Sequence, residues 1–513
     1  MGRFKAVRET LGKWFSVPWY PIAISAYPVL ALLATNIGEV GPDAAVRPLV
    51  VSMLFGGFLF LLIWLFIRQP HKSAFLAALW LALFFSYGHL YIYIDEKYPD
   101  SKYTVWLTVG WIVLFLLALF WTTRPKLTFA SAASTLNTIA LALVVMALWQ
   151  IVPEVEVRRA HALALPKAPI QPDLVRPDNP PDVYFFLLDS YGRADLLEQA
   201  YGFDNSEFLS ALEERGFFVA ECSQSNYVRT ELSLASTLNM QYLQDLSENF
   251  TPDSTARRLL WESLKHSAVR YNFESLGYEI VTFKTEFDWL NLDDVHHFLS
   301  PPPISSGMSD FEGLFLRTTF ARHAQDWGWV DPDYILGITA RDRFHHAFNS
   351  IDDIVEMPQP TFSYIHLISP HPPFVFDADG NPTHPADFWN EQRLYTSELY
   401  KKGYVNQVQY LNKKLLQAVD MIMAESEVSP VIIIQGDHGP WLQPKEKRMW
   451  ILMAAYLPNH QDKLYSNISP VNIFRLVFNT SFGGKYDMLE DISYFSPVPK
   501  LYEFSEIRAS CRE

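Results

Sequence analysis

The chain has 513 residues, 49% of them hydrophobic and 15% aromatic, and carries a formal net charge of -15 at pH 7. That length exceeds one compact core and that apolar share is high for a protein wholly in water, so part of the chain belongs in a membrane. The acidic balance excludes a nucleic-acid partner, because phosphate backbones reward clustered Lys and Arg. Two cysteines, Cys222 and Cys511, are too few for a disulfide scaffold, although one bridge between them is permitted outside the cytoplasm.

In chain order, five apolar segments come first: Pro18 to Gly38, Pro48 to Ile67, Ala74 to Ile94, Tyr103 to Trp121 and Ala130 to Val152, each about the length needed to cross a bilayer. The first is interrupted by Pro21 and Pro28 but flanked by Trp14, Trp19 and Tyr20, which suit an interfacial aromatic belt. Arg3, Lys5, Arg8 and Lys13 precede the first span, Arg68 and Lys72 follow the second, and Arg124 and Lys126 follow the fourth, whereas the alternate loops "GEVGPDAA" and "DEKYPDSK" are acidic or mixed. Lys and Arg mark cytoplasmic loops, so the N-terminus is expected in the cytoplasm and everything after the fifth span outside it.

The prolines of "VPEVEVRRAHALALPKAPIQPDLVRPDNPPD" are expected to forbid a regular helix or central strand, which predicts a linker from Val152 to about Asp182. The expected organisation is a transmembrane domain over 1–152, a Pro-rich linker over 153–181 and one soluble domain over 182–513. In that last part strand-like and helix-like stretches alternate as in a doubly wound α/β domain. "DVYFFLLDS" reads as the first strand, followed by the helix "FDNSEFLSALEERG", the strand "FFVAE", a helix around "LSLASTLNM", and one long amphipathic helix through "RRLLWESLKHSAVRYNFESLG". "YEIVTF", "TFSYIHLIS", "SPVIIIQGD" and "MWILMAAYL" read as further strands, and Glu391 to Glu425 as mainly helical.

Ligands of parallel sheets gather at the carboxyl ends of strands. Three predicted strands deliver candidate residues there: Asp189 after "VYFFLL", His366 and His371 in and after "FSYIHLIS", and Asp437 with His438 after "VIIIQG". Thr230, in "SNYVRTELSLASTLNM", falls near a helix N-terminus, where free amides and the helix dipole favour a phosphoryl oxygen; a plain helix cap is the ordinary reading of a Thr in such a place. His366 reads equally well as a structural, hydrogen-bonded histidine. The adjacent pairs His296–His297 and His345–His346 cannot chelate easily, since neighbours on a strand face opposite ways and neighbours on a helix lie about 100 degrees apart. Arg229 and Arg448 could bind a phosphate or a headgroup, although exposure to solvent is the usual state of an arginine.

The order "LLDSYG", "TELSLAS", "SPHPPF", "GDHG" resembles the alkaline phosphatase superfamily, and within it the sulfatase-like branch of membrane-bound lipoteichoic acid synthases, phosphoethanolamine transferases and phosphoglycerol transferases. The resemblance implies an alkaline phosphatase/sulfatase-like extracytoplasmic α/β domain carrying a divalent metal, Zn or Mn, on Asp189, Thr230, Asp437 and His438. It makes Thr230 the nucleophile of a TxxS pattern and gives His371, in "PHPPF", a place near the leaving group as acid or electrostatic donor. Sulfatases of this superfamily usually open with two adjacent acidic residues and use a Cys or Ser in CxPSR, whereas Asp189 is followed by Ser190 and Cys222 sits in "ECSQSN". The first ligand is also Asp where the transferases tend to use Glu.

Three functions fit these residues. The first is a multi-pass enzyme of the cell (inner) membrane, moving a phospho-substituent from a membrane lipid or lipid-linked substrate to an extracytoplasmic acceptor through a phospho-threonine. The second is a hydrolase of the same chemistry, acting on a phosphodiester, phosphomonoester or sulfuric ester, and the third a non-catalytic membrane protein that binds a partner. Competent ligands at all four metal positions disfavour the third. Nothing in the sequence sets the oligomeric state.

Overall fold

The computed structural model describes residues 16–37, 40–98, 103–164, 173–254, 257–302, 309–326, 331–384, 398–440, 443–507 and 511. The chain divides into two compact units, Met1–Arg159 with Met308–Pro332, and Ala160–Gly307 with Asp333–Glu513.

The first unit is built on helices α1 (Tyr20–Asn36), α2 (Val46–Ile67), α3 (Pro70–Lys97), α4 (Tyr103–Thr122) and α5 (Ala130–Ala164). The segments Pro42–Ile67, Pro70–Asp95, Tyr103–Thr122 and Ala130–Pro153 are long and apolar enough to cross a membrane; α1 is apolar but shorter, at 17 residues. Leu54, Phe58, Trp106 and Trp149 stand exposed on these helices, an arrangement that hydrocarbon accepts and water does not. Helix α5 runs through Pro153 to Ala164, so the first part of the predicted linker is helical. Proline forgoes one backbone hydrogen bond, but the Glu, Arg, Ala and Leu residues that follow it favour helix. Residues 165–172, the middle of that linker, lie outside the described residues, as do Arg3, Lys5, Arg8, Lys13 and Trp14.

Nothing in the sequence pattern signals that residues 308–332 belong with these helices. A helix over Asp310–Arg317 starts at a capping box in which the Glu312 amide donates to Ser309 Oγ (3.3 Å) and the Ser309 amide donates to Glu312 Oε2 (2.9 Å). Phe311 packs with Val29, Leu30, Leu33, Ala147 and Ile151, and Glu312 pairs with Arg47. Beyond it the Gly88 amide of α3 donates to Thr318 O (3.1 Å) and the Phe320 amide to Phe84 O (2.8 Å). A Cβ on Gly88 would collide with the backbone of Arg317 and Thr318, so only glycine allows this approach.

The second unit holds a seven-stranded sheet made of β1 (Val183–Leu188), β2 (Phe218–Val219), β3 (Glu279–Phe283), β4 (His297–Leu299), β5 (Thr361–Leu367), β6 (Val431–Gly436) and β7 (Met453–Tyr456), in the order β2-β7-β6-β1-β5-β3-β4. Neighbours from β6 across to β4 are parallel, while β7 runs antiparallel to β6 and to β2. All six residues of β1 are buried, which explains its unbroken apolar run. Val183, Phe185 and Leu187 join one core cluster and Tyr184, Phe186 and Leu188 the other, so helices cover both faces. Those helices include α6 (Ala194–Tyr201), α7 (Ser206–Glu214), α8 (Thr230–Asn239), α9 (Arg257–Lys265), α10 (Ala268–Ser275), α11 (Pro332–Asn349), α12 (Glu398–Glu425) and α13 (Pro470–Ser481).

The single amphipathic helix expected through "RRLLWESLKHSAVRYNFESLG" is two helices, with a break at His266–Ser267 where Ser267 turns extended (φ -78°, ψ 159°) ahead of α10. The apolar positions keep helical spacing across the break, so periodicity alone does not reveal it. Strand β4 has no counterpart in the sequence reading, and residues 385–397, including the start of the helix expected from Glu391, lie outside the described residues. Cys222 and Cys511 form a disulfide, with Cα atoms 5.3 Å apart.

Candidate metal centre

Strand register assembles the site. Leu188 of β1 lies opposite Leu367 of β5 and Gly436 of β6, so the three parallel strands end level and the next residues of β1 and β6 are Asp189 and Asp437. The Asp189 amide donates to Leu367 O (3.0 Å) and the Asp437 amide to Leu188 O (3.3 Å), which carries the ladder one step past the strands. Ligand atoms of Asp189, Asp437 and His438 all lie within 4.8 Å of one another, and all three residues are buried.

The donors are held in place. Asp437 Oδ1 accepts from the amides of Ser190 (2.8 Å) and His438 (2.7 Å), while its Oδ2 is buried without a hydrogen-bond partner among the described residues and lies 3.5 Å from His438 Nε2. His438 Nδ1 faces Gly439 O at 2.8 Å; a carbonyl only accepts, so Nδ1 carries the proton and the Nε2 lone pair turns to the carboxylates. Ser190 sits at φ +65°, a rare conformation for a non-glycine residue, and Tyr404 Oη donates to its carbonyl (2.8 Å). Burial first, then the Asp437 charge, push the Asp189 carboxyl up to about 8. Two carboxylates and one imidazole, sealed from water with one oxygen unanswered, make a donor set that fits Zn or Mn.

Thr230 is the first residue of α8, its Oγ1 3.3 Å from His438 Nε2. The residue at the cap position is Arg229, in extended conformation, and no side chain caps the helix, so the capping explanation for Thr230 does not hold. Ser233, one turn on, is buried, and its hydroxyl donates to Asp437 O at 2.8 Å. That hydrogen bond ties α8 to the end of β6.

His371 joins through its backbone, the amide donating to Asp189 O at 3.0 Å. Its Nδ1 faces Pro372 O at 2.6 Å, leaving Nε2 as an acceptor, and burial pushes its pKa below the usual imidazole range. His366 is buried on the same sheet face as Tyr364, with no hydrogen-bond partner at either ring nitrogen among the described residues, and burial pushes it down to about 4. His297 pairs with Glu279 (2.6 Å) and His296 Nδ1 accepts from the Ile280 amide (3.2 Å); His345 and His346 lie in α11, and neither pair joins the cluster.

The arginines differ from the solvent-exposed expectation. Arg229 is 8% exposed and Arg448 7%. Arg448 Nη2 donates to Val228 O (3.0 Å), beside Arg229, and its carbonyl accepts from the Gly439 amide (2.7 Å). Burial, and after it the Arg229 charge, push the Arg448 guanidinium down to about 10.

No protein-family model and no curated protein matches the chain. Solved structures do. The C-terminal periplasmic domain of EptC from Escherichia coli, in complex with Zn, aligns with a TM-score of 0.45 at 12% identity, over 65% of this chain and 96% of that one. The integral membrane lipooligosaccharide phosphoethanolamine transferase A from Neisseria meningitidis aligns with a TM-score of 0.41 at 13% identity, over 91% of this chain and 95% of its own. A phosphonate monoester hydrolase of Agrobacterium radiobacter aligns with a TM-score of 0.36 at 14% identity, over 61% and 80%. In structure the chain is thus similar to a membrane phosphoethanolamine transferase and to a hydrolase of phosphonate monoesters.

Proposed function

We propose that the protein is a membrane-attached, metal-dependent transferase that moves a phospho-substituent from a lipid-linked donor to an extracytoplasmic acceptor through a phospho-Thr230 intermediate. One observation carries this reading: a threonine hydroxyl at a helix start, 3.3 Å from the imidazole of a buried Asp–Asp–His cluster. Asp189, Asp437, His438 and Thr230 would hold the ion. Bound there, a divalent ion lowers the pKa of the threonine hydroxyl and neutralises charge on the phosphoryl oxygens.

Thr230 Oγ1 loses its proton and bonds to phosphorus as the bond from phosphorus to the donor's alcohol oxygen breaks, and that alcohol leaves with a proton. An acceptor hydroxyl then attacks phosphorus, gives up its proton, and restores the Thr230 hydroxyl. His371, neutral and with Nδ1–H committed to Pro372 O, is suited to take the acceptor's proton at Nε2; service as the acid toward the leaving group requires it to be protonated first.

The test is full-length protein loaded with Zn or Mn, given labelled lipids and candidate alcohol acceptors, and quenched during turnover for peptide mass spectrometry. The expected result is label on the acceptor and a substrate-derived adduct on Thr230. Label released only to water would make the protein a hydrolase, and an adduct on Ser233 would overturn the assignment of the nucleophile.

A further inference from the structure

Helices α3 and α4 supply a scale of depth. A helix rises about 1.5 Å per residue, and the apolar runs Ala74 to Ile94 and Tyr103 to Trp121 each match the thickness of the hydrocarbon. Ile94 and Tyr103 lie at the end joined by the mixed loop "DEKYPDSK", which the placement of Lys and Arg assigns to the extracytoplasmic side. Counted inward from that side, Tyr87 of α3 is seven residues in and Thr108 of α4 five, about 10 and 8 Å deep. Tyr87 Oη and Thr108 Oγ1 are 2.7 Å apart, so the two counts agree.

Residues 309–326 meet these helices well inside that boundary. They start at its level, where Glu312 pairs with Arg47, the residue before the apolar run that begins at Pro48. The helix Asp310–Arg317 is about 12 Å long. Past its end the Gly88 amide, six residues or about 9 Å in, donates to the Thr318 carbonyl, and the Phe84 carbonyl, ten residues or about 15 Å in, accepts from the Phe320 amide. The chain then turns outward: His323 Nε2 lies 3.3 Å from Thr108 Oγ1, and the Arg322 guanidinium stands over the ring of Tyr91, three residues from Ile94. Irregular backbone at such depth is tolerated where protein satisfies its polar groups. Thr318 and Thr319 meet that demand, both buried, with their hydroxyls donating to Phe315 O (2.8 Å) and Leu316 O (2.9 Å). Arg317 is exposed, and its long stem can lift the charge to headgroup level.

We infer that residues 309–326 form a re-entrant membrane segment, which enters the bilayer from the extracytoplasmic side at Glu312, turns near mid-membrane at Phe320 and returns, presenting Leu314 to the acyl chains of the outer leaflet. Leu314 is 40% exposed and continues the apolar surface that Leu54 and Phe58 offer to lipid. Chain on either side of the segment belongs to the second unit, so that unit is tied to the membrane part at three places along the sequence, near residues 160, 308 and 332. The inference rests on α3 and α4 as spans, and not on the chemistry proposed at Thr230.

Quenching of a single fluorophore tests it on full-length protein in phosphatidylcholine vesicles. The disulfide occupies both native cysteines, so Leu314→Cys, Phe58→Cys and Leu399→Cys each offer one thiol to bimane. Phe58 stands on α2, ten residues from Pro48, and Leu399 is exposed on α12 of the second unit. A lipid nitroxide at carbon 5 of the acyl chain should quench the label at 314 at least about threefold more than the label at 399, and aqueous iodide should show the opposite order. A label at 314 that iodide reaches as readily as the label at 399, and that the lipid nitroxide does not quench, would overturn the inference and show that α3 and α4 project beyond the bilayer. The unsubstituted protein supplies a second measurement that needs no variant. Irradiated in vesicles of phosphatidylcholine with a diazirine in its acyl chain, it should yield adducts within 309–326 as well as in the spans, and adducts confined to the spans would equally overturn the inference.

Discussion

At the scale of single residues, the two oxygens of Asp437 have different duties. Oδ1 is fixed by two backbone amides, so Asp437→Asn keeps its shape by presenting its carbonyl there, and the amide nitrogen then replaces the unanswered Oδ2. Outer-shell changes commonly cost about 10- to 100-fold in metal affinity. Loss of a ligand charge should cost at least about 100-fold, read as Zn retained after dialysis, with activity falling in step. Thr230→Ala should remove at least about 1000-fold of turnover, as loss of a nucleophile does. Among the described residues its one side-chain hydrogen bond is to His438, so stability should change by no more than about 1 kcal/mol. Ser233→Ala should behave in reverse, losing about 1–3 kcal/mol because the Asp437 carbonyl is left unpaired, while keeping measurable turnover.

Asp189 gives the metal-free protein a pH signature. Its carboxyl titrates near 3.8 when unfolded and near 8 when folded, so between those values the folded state holds the extra proton. Stability then falls as pH rises across that window, because the folded state must surrender a proton that the unfolded state has already lost. Chelator-treated protein should melt at lower temperature at pH 8 than at pH 5, and added Zn should raise the melting temperature more at pH 8. Equal metal-induced shifts at the two pH values would show that the carboxylate is charged without the ion. Asp189, Asp437 and His438, whose ligand atoms the fold brings within 4.8 Å of one another, could be picked out in the sequence because they follow apolar strands. The burial of Arg229 and Arg448 could not, since it depends on where the segment after "GDHG" folds back against Val228.

At the scale of elements, the level ends of β1, β5 and β6 set the distance between the two carboxylates. Gly436 ends β6 where a Cβ would strike the Tyr191 carbonyl and press on Ile451 Cβ at 3.3 Å. Gly436→Ala should therefore cost about 1–3 kcal/mol through overpacking and also weaken the metal, because β6 shifts away from β1 and takes Asp437 with it. A thermal melt with and without Zn checks both effects; an unchanged Zn-induced shift would mean that the loop beyond the strand, and not the strand, places Asp437. Strands such as "VYFFLL" and "VIIIQG" were legible because both their faces are buried and their residues β-branched or aromatic. The three-residue β4 and the break between α9 and α10 were not. The first is too short for a pattern, and the second is invisible to apolar spacing that continues in phase.

At the scale of the molecule, the number of crossings decides where the ends of the chain lie. Among the described residues four helices have the length and apolar character to span, and α1, 17 residues with Pro28 inside it, decides between an even count and an odd one. The Lys and Arg placement favours five. A reporter after Glu513 should then be active only outside the cytoplasm and one after Met1 only inside; both reporting one compartment would remove α1 from the count.

The return of residues 308–332 to the helical unit has a consequence in time. The Gly88 amide and the Thr318 carbonyl it binds lie about 230 residues apart along the chain. At the usual rate of synthesis, about 5–20 residues per second, the partner of Gly88 leaves the ribosome roughly 10–50 seconds after Gly88 itself. Through that interval the groove at Gly88 lacks its occupant, and Arg47 waits for Glu312. The membrane part of this protein is thus threaded early and finished late, and its last packing step is supplied by chain that has already built half of the other unit.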